Sequence, residues 1–393
     1  MAGEFLVNSS SLLKIVGLLV VSSIIIFISF IAIVFTNLMG LIKFYTPFII
    51  VLTLGILVFV TNGFFTFLKP KQLKVSFLSF LSLCLVAVIV YESIDAYHNS
   101  FETLADQEVD LYQYQPFNQL SKVATLEEES TLKLEGDLPV LDGATALYPL
   151  YSAFVQATYP KKEYEIYHSE VMSNKTTDAY QNLIKGSVDI IFVAGPSERQ
   201  LNQAKNRGVE LKLTPIGREA FVFFVNAKNP VEGLTIQQIQ DIYSGKITNW
   251  SEVGGKKEDI RAFQRPADSG SQTALEKLMG DIPIMAAPTE DVVAGMGGII
   301  EQTANYRNYK NAIGYSFRYF SMDMIHNKSI RHLKIDGVFP DKETIRNNQY
   351  PISSEFYAVT AGTTNPNVEA FIEWILSKQG QSLVENTGYV PIN

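Results

Sequence analysis

The chain has 393 residues, 47% of them hydrophobic and only 18% charged, against about 25% charged in an average soluble domain. That balance excludes a disordered chain, a collagen-like repeat and a disulfide scaffold, and it implies that part of the chain avoids water. One cysteine, Cys84, allows no intrachain disulfide; with four histidines (His98, His168, His326, His332) it leaves no Cys-rich zinc site. Residues 1–100 carry five lysines and three acids, while the remainder carries 27 basic and 37 acidic residues, a balance of −10. An acidic body argues against nucleic acid as a partner and requires any anion site to be local.

Three uncharged runs open the chain: Ile15–Phe35, Phe44–Leu68 and Val75–Tyr91, of 21, 25 and 17 residues. At 1.5 Å per residue each approaches or exceeds the ~30 Å of a bilayer core. They predict three transmembrane helices, near 15–35, 44–68 and 75–91, in a lipid-bilayer anchor spanning 1–97. The first run is too long for a signal peptide and no small-residue cleavage motif follows it. Lys69, Lys71 and Lys74 lie between the second and third runs, and only Lys43 between the first and second. The positive-inside rule then predicts a cytoplasmic N-terminus and an extracytoplasmic chain after Tyr91. Leu83 precedes Cys84 where a lipidation motif has a small residue, so the cysteine reads as a packed side chain.

Residues 98–137 hold nine acids against two lysines and read as a solvated acidic linker. From Leu138 the pattern alternates between strand and helix. A strand at Leu138–Leu141 leads through Asp142-Gly-Ala-Thr145 to a helix with Leu147, Leu150, Tyr151, Phe154 and Val155 on one face. A strand at Glu163–Tyr167, a loop, and a helix carrying Ala179, Tyr180, Leu183 and Ile184 follow, closed by Gly186. Val188–Ala194 and Phe221–Val225 read as buried strands. Thr235 with Gln238 forms a capping box for a helix closed by Gly245. A strand at Ile260–Phe263 leads into Arg265-Pro-Ala-Asp-Ser-Gly-Ser271 and a helix ending at Gly280. The last helix presents Val368, Phe371, Ile372, Ile375 and Leu376. This is an α/β domain, long enough at 138–393 for two lobes.

Three segments share one design, in which a strand end, a loop of Gly, Ser or Thr and a helix start follow one another: Gly143-Ala-Thr145, Ser173-Asn-Lys-Thr-Thr177 and Ser269-Gly-Ser271. Helix N-termini present free N–H groups and a positive dipole end, which suits an anion. Arg265, four residues before Ser269, adds a forked cation matched to an oxyanion.

With these residues in place, 138–393 resembles the phosphate-binding protein of bacterial phosphate ABC transporters. Gly143-Ala-Thr-Ala-Leu-Tyr-Pro-Leu-Tyr151, Leu234–Trp250, the Arg265–Ser271 stretch, Ala312-Ile-Gly-Tyr315 and Gly388-Tyr-Val-Pro391 carry the likeness. The resemblance implies a two-lobed type II periplasmic-binding-protein fold. Lobe one would be 138–225 plus 355–393 and lobe two 226–354, with crossings near Phe221–Asn226 and Glu355–Thr360. It implies inorganic phosphate or a related oxyanion as ligand, and an ABC permease as partner. The implied ligand residues are Thr145, Ala146, Thr176, Arg265, Ser269, Gly270 and Ser271. Members place an aspartate after the strand at 188–193, where this chain has Ala194-Gly195-Pro196; Ser197 and Glu198 are the nearest replacements.

Other readings are weaker. No histidine accompanies Ser269 or Ser271 as a base and no Gly-x-Ser-x-Gly elbow occurs, so a hydrolase is not expected. No cofactor motif is complete: Gly295-Met-Gly-Gly298 lacks the dinucleotide and P-loop patterns and reads as a turn. His326 and His332, in a basic stretch, read as solvated surface. Trp250 and Trp374 read as packing residues. A membrane-tethered sensor or adhesion module on the same fold is the alternative function, since three spans would serve it equally.

Overall fold

The computed structural model describes residues 9–38, 42–99, 103–104, 109–286, 292–293, 303–304, 306–307, 310–324 and 328–392. The chain divides into two compact units, Met1–Phe101 and Glu102–Asn393. Gly295–Gly298 and His326 lie outside the described residues.

The first unit is three helices: α1 (Ser9–Leu38), α2 (Ile42–Phe65) and α3 (Pro70–Asn99). Each is long and apolar enough to cross a membrane. Their large apolar side chains face outward: Leu13, Phe27, Leu38 and Leu83 are 64–82% exposed. Water would not tolerate such a surface, and hydrocarbon would. α3 extends beyond the uncharged run, taking Lys71 and Lys74 at one end and Glu92 and Asp95 at the other, where long side chains reach an interface. Between α1 and α2, Thr53 Oγ1 donates to Ser29 Oγ at 2.7 Å. Gly55 leaves the space that the Phe80 ring fills.

Among the described residues, the second unit is built on a sheet of seven strands. They are β1 (Leu141–Gly143), β2 (Ile190–Ala194), β3 (Lys212–Asn226), β4 (Arg261–Ala262), β5 (Ala312–Phe317), β6 (Ile330–His332) and β7 (Ser353–Thr360). Their order is β1-β2-β7-β3-β5-β4, with β6 also on β3. β1 and β2 are parallel, as are β4 and β5. The remaining pairings in this set are antiparallel.

β3 runs through both lobes. Its first part, 212–220, pairs with β7, and its second, Phe221–Val225, pairs with β5. The sequence pattern predicts only the second part, because Pro215 and Gly217 argue against a strand. Here the register shifts opposite Phe356 and Tyr357, and a bulge accommodates the proline. Phe221, Val222, Phe223 and Val225 pack in the lobe-two core. Phe221 N–H donates to Ile352 O, just ahead of β7, at 2.9 Å.

In lobe one, α4 (Tyr148–Thr158), α10 (Asn367–Leu376) and α11 (Lys378–Thr387) contribute to one core. On the opposite sheet face α5 (Lys175–Lys185) buries Ala179, Tyr180 and Leu183 against Ile191, Val193 and Val359. α5 stops at Gly186, whose φ of 75° suits glycine. α6 (Glu198–Asn206) is also in lobe one. In lobe two, α7 (Ile236–Tyr243) has the expected capping box: Gln238 N–H donates to Thr235 Oγ1 and Thr235 N–H to Gln238 Oε1, at 3.1 and 2.9 Å. α8 (Gly270–Met279) and α9 (Lys342–Arg346) are also in lobe two.

Two further expectations differ from the structure. Residues 163–167 form no strand, although Tyr164 and Ile166 are buried in alternation as the pattern requires. Their carbonyls are taken elsewhere: Gln115 Nε2 donates to Tyr164 O at 2.7 Å and Ser173 N–H to Ile166 O at 2.8 Å. The acidic stretch expected as a linker is, over 109–137, a strap on lobe one. Leu111, Val123 and Leu134 join its core. Phe117 N–H donates to Gln156 Oε1 at 2.9 Å and Thr131 N–H to Gln379 Oε1 at 2.9 Å. The acids face solvent while a few apolar residues, too sparse to show a period, carry the docking.

Candidate functional site

The parallel pair β1–β2 ends at Gly143 and Ala194, so both following loops emerge at one edge of lobe one. Gly143 must be glycine, because a Cβ there would stand 2.6 Å from Phe192 O. Thr145 opens a 3-10 turn, Thr145–Leu147, and is half-buried with Ala146. Asp142, wholly buried, ties this loop to the next. Its Oδ1 accepts from Gly143 N–H and Asn174 N–H, both at 2.8 Å, and its Oδ2 accepts from Asn174 Nδ2 and Asn182 Nδ2 at 3.1 and 2.9 Å. A carboxylate so saturated is a framework element. It fixes the N-terminus of α5, where Thr176 is 9% exposed.

Lobe two supplies the facing wall. Ser269 caps α8, its Oγ accepting from Gln272 N–H at 3.3 Å. Arg265 N–H donates to Gln272 Oε1 at 3.0 Å and to Tyr315 OH at 2.9 Å, and Tyr315 OH also donates to Gln272. This buried triangle joins β5, the Arg265 backbone and the first turn of α8. Ser271, half-buried, is the second residue of α8.

The two walls meet. A Cβ on Gly270 would lie 3.4 Å from Thr176 Oγ1 and 3.6 Å from Ala194 Cβ, both in lobe one. Beside that point Thr177 Oγ1 donates to Asp268 O at 3.3 Å. The structure thus brings together Thr176, Ala194, Gly270 and the Ser269 cap, at the N-termini of α5 and α8. Thr145 and Ala146 belong to the same lobe-one edge through Asp142, and Arg265 to the lobe-two wall through Gln272. Ser197 does not stand in for the missing aspartate: its Oγ accepts from Gln200 N–H at 3.1 Å and donates to Asp268 Oδ1 at 2.7 Å. Glu198 is exposed.

Asp142, Asp268, Gln272, Tyr315 and Tyr389 were not singled out by sequence. Tyr389 OH donates to Ala146 O at 2.5 Å across 243 residues of chain. Four of the five stand within motifs already quoted, but nothing local shows which side chain hydrogen-bonds across the fold. Among the described residues no group of three or more His, Cys, Asp or Glu could hold a metal. An open depression of about 630 Å³ lined by Glu163, Glu165, His168 and Glu170 is unsuited to an anion, because its carboxylates would repel one. His332, expected at the surface, is in β6; burial and the Arg318 charge lower its pKa to about 4.

A PBP superfamily domain matches residues 139–379, and the chain belongs to that superfamily. It is 28% identical over 193 residues to the phosphate-binding protein PstS of Bacillus subtilis, covering 48% of this chain and 61% of that protein. It is 27% identical over 218 residues to PstS of Borreliella burgdorferi, covering 53% and 76%. Among solved structures, an ABC-type phosphate transport receptor from Vibrio cholerae aligns at 23% identity with a TM-score of 0.46, covering 64% of this chain and 98% of that one.

Proposed function

We propose that this chain is a membrane-anchored, extracytoplasmic solute-binding protein that captures inorganic phosphate and delivers it to an ABC permease. The observation that carries the reading is the meeting of Gly270 with Thr176 and Ala194. It sets two helix N-termini, from opposite lobes, against one point. Converging N–H dipoles and hydroxyls suit a small anion and supply no nucleophile–base pair. In this reading Thr145, Ala146 and Thr176 serve from lobe one, and Arg265, Ser269, Gly270 and Ser271 from lobe two. An anion touching both walls binds the shut form more tightly and shifts the population toward it. The three helices take the place of a lipid anchor, with the N-terminus cytoplasmic. The relatives named as phosphate-binding proteins support the choice of ligand.

Calorimetric titration of the full chain in nanodiscs tests this. One phosphate per chain is expected, with thermal stabilisation of about 2.7 kcal/mol at a hundred times Kd. No heat and no shift at millimolar phosphate would overturn the reading. Ala194-Gly195 places no carboxylate against the anion, so sulfate is expected to compete measurably; strict rejection of sulfate would contradict that part.

A further inference from the structure

We infer that Asp268 is an interlobe latch, a positioning residue that favours the shut cleft through protein contacts alone and fixes the α8 donors. Asp268 belongs to lobe two and is 6% exposed. Its four polar partners from lobe one leave little of it unsatisfied. The carboxylate accepts from Ser197 Oγ at 2.7 Å and pairs with the Arg199 guanidinium. The carbonyl accepts from Gln200 Nε2 and Thr177 Oγ1, both at 3.3 Å. Its φ of 62° is in the left-handed region, which a non-glycine residue keeps only where its surroundings hold it.

The partners are preorganised. Ser197 and Gln200 form the capping box of α6, so three of the four donors sit on the first turn of one rigid helix. A second contact continues the seam. Gly195 has no side chain, and Lys277 Nζ of α8 stands 2.7 Å from where its Cβ would be, within the field of Glu198. The charges alternate across the lobes: Arg199 to Asp268, and Lys277 to Glu198.

Two consequences follow. These contacts are protein to protein, so they lower the free energy of the shut form whatever the cleft holds. Asp268 also immediately precedes the Ser269 cap, so the same contacts fix the first turn of α8. Arg199 offsets a carboxylate that would otherwise repel an anion at that turn. Only this last point rests on the anion reading.

The test uses the full chain in nanodiscs, with Cys84→Ser and spin labels at Lys185→Cys in lobe one and Lys256→Cys in lobe two. Interlabel distances are measured in phosphate-free buffer and then with phosphate. The parent is expected to show a dominant short distance in both. Asp268→Asn and Arg199→Gln are each expected to shift the phosphate-free distribution to longer, broader distances and to weaken phosphate binding about tenfold, chiefly through faster release. Arg199 is largely exposed, so its variant keeps the test decisive if Asp268→Asn does not fold. Unchanged phosphate-free distances in the folded variants would overturn the latch. A parent that binds no phosphate would overturn the anion reading, while the phosphate-free distances still judge the latch.

Discussion

Thr176 and Arg265 approach the proposed site with different chemistry, and their substitutions should differ in size. A charge-assisted hydrogen bond contributes about 1.5–3 kcal/mol and a neutral one about 0.5–1.5. At 1.4 kcal/mol per decade, Arg265→Ala should weaken phosphate about ten- to hundredfold. Thr176→Val should weaken it about two- to tenfold, and Thr176→Ser should restore most of that. Isothermal titration of the three variants measures the ranking. Equal affinity for Arg265→Ala and the parent would remove the guanidinium from the site. Gly270 marks the close approach of the two walls: a Cβ there would stand at van der Waals contact, 3.4 Å from the Thr176 hydroxyl oxygen.

Among the elements, β3 crosses between the lobes. At its crossing between lobes Glu219 is 5% exposed, accepting from Ala220 N–H at 2.9 Å and Tyr319 N–H at 3.1 Å. Arg318 lies beside it, bonded to Gly388 O at 3.3 Å and paired with Asp323 at 3.1 Å. Burial pushes the Glu219 carboxyl up to about 7, against the opposing pull of Arg318 and the two N–H donors. A carboxyl raised in the folded state holds more protons there than in the unfolded chain. Its contribution to stability therefore falls as pH rises from about 4.5 to about 7. The difference in unfolding free energy between the parent and Glu219→Gln should shrink, or turn in favour of the variant, between pH 5 and 8. Denaturant titrations across that range measure it, and a pH-independent difference would refute the assignment.

For the whole molecule, the strap alters where the folded domain begins. Leu111, Val123 and Leu134 are all below 9% exposed, and each such side chain contributes about 1.5–3 kcal/mol when removed from water. A fragment starting at 138 should therefore be less stable than one starting at 109 by several kcal/mol, on the order of 10 °C in Tm. Comparative thermal unfolding of the two fragments decides it; equal midpoints would show that the strap adds nothing.

The sequence by itself determined the three apolar spans, most helices of the α/β domain and the three loop-to-helix starts. Those signals are local: charge-free length, 3.6-residue periodicity, and the Thr235–Gln238 cap. Sequence also grouped Thr145, Ala146, Thr176, Arg265, Ser269, Gly270 and Ser271 as one set, through the family resemblance, with Thr145 and Thr176 expected on one wall and Arg265 and Ser269 on the other. Tertiary structure alone decided the rest. The strand at 212–220 forms despite Pro215 because β7 offers a bulged partner. Tyr164 and Ile166 alternate like a strand yet do not pair, since Gln115 and Ser173 take their carbonyls. Asp268 reads as an ordinary loop acid until α6 arrives from 70 residues away to surround it. Periodicity reports which face of an element avoids water; it carries no information about which distant donor meets a given carbonyl or carboxylate, and the crossing between the lobes and the latch are made of such pairs.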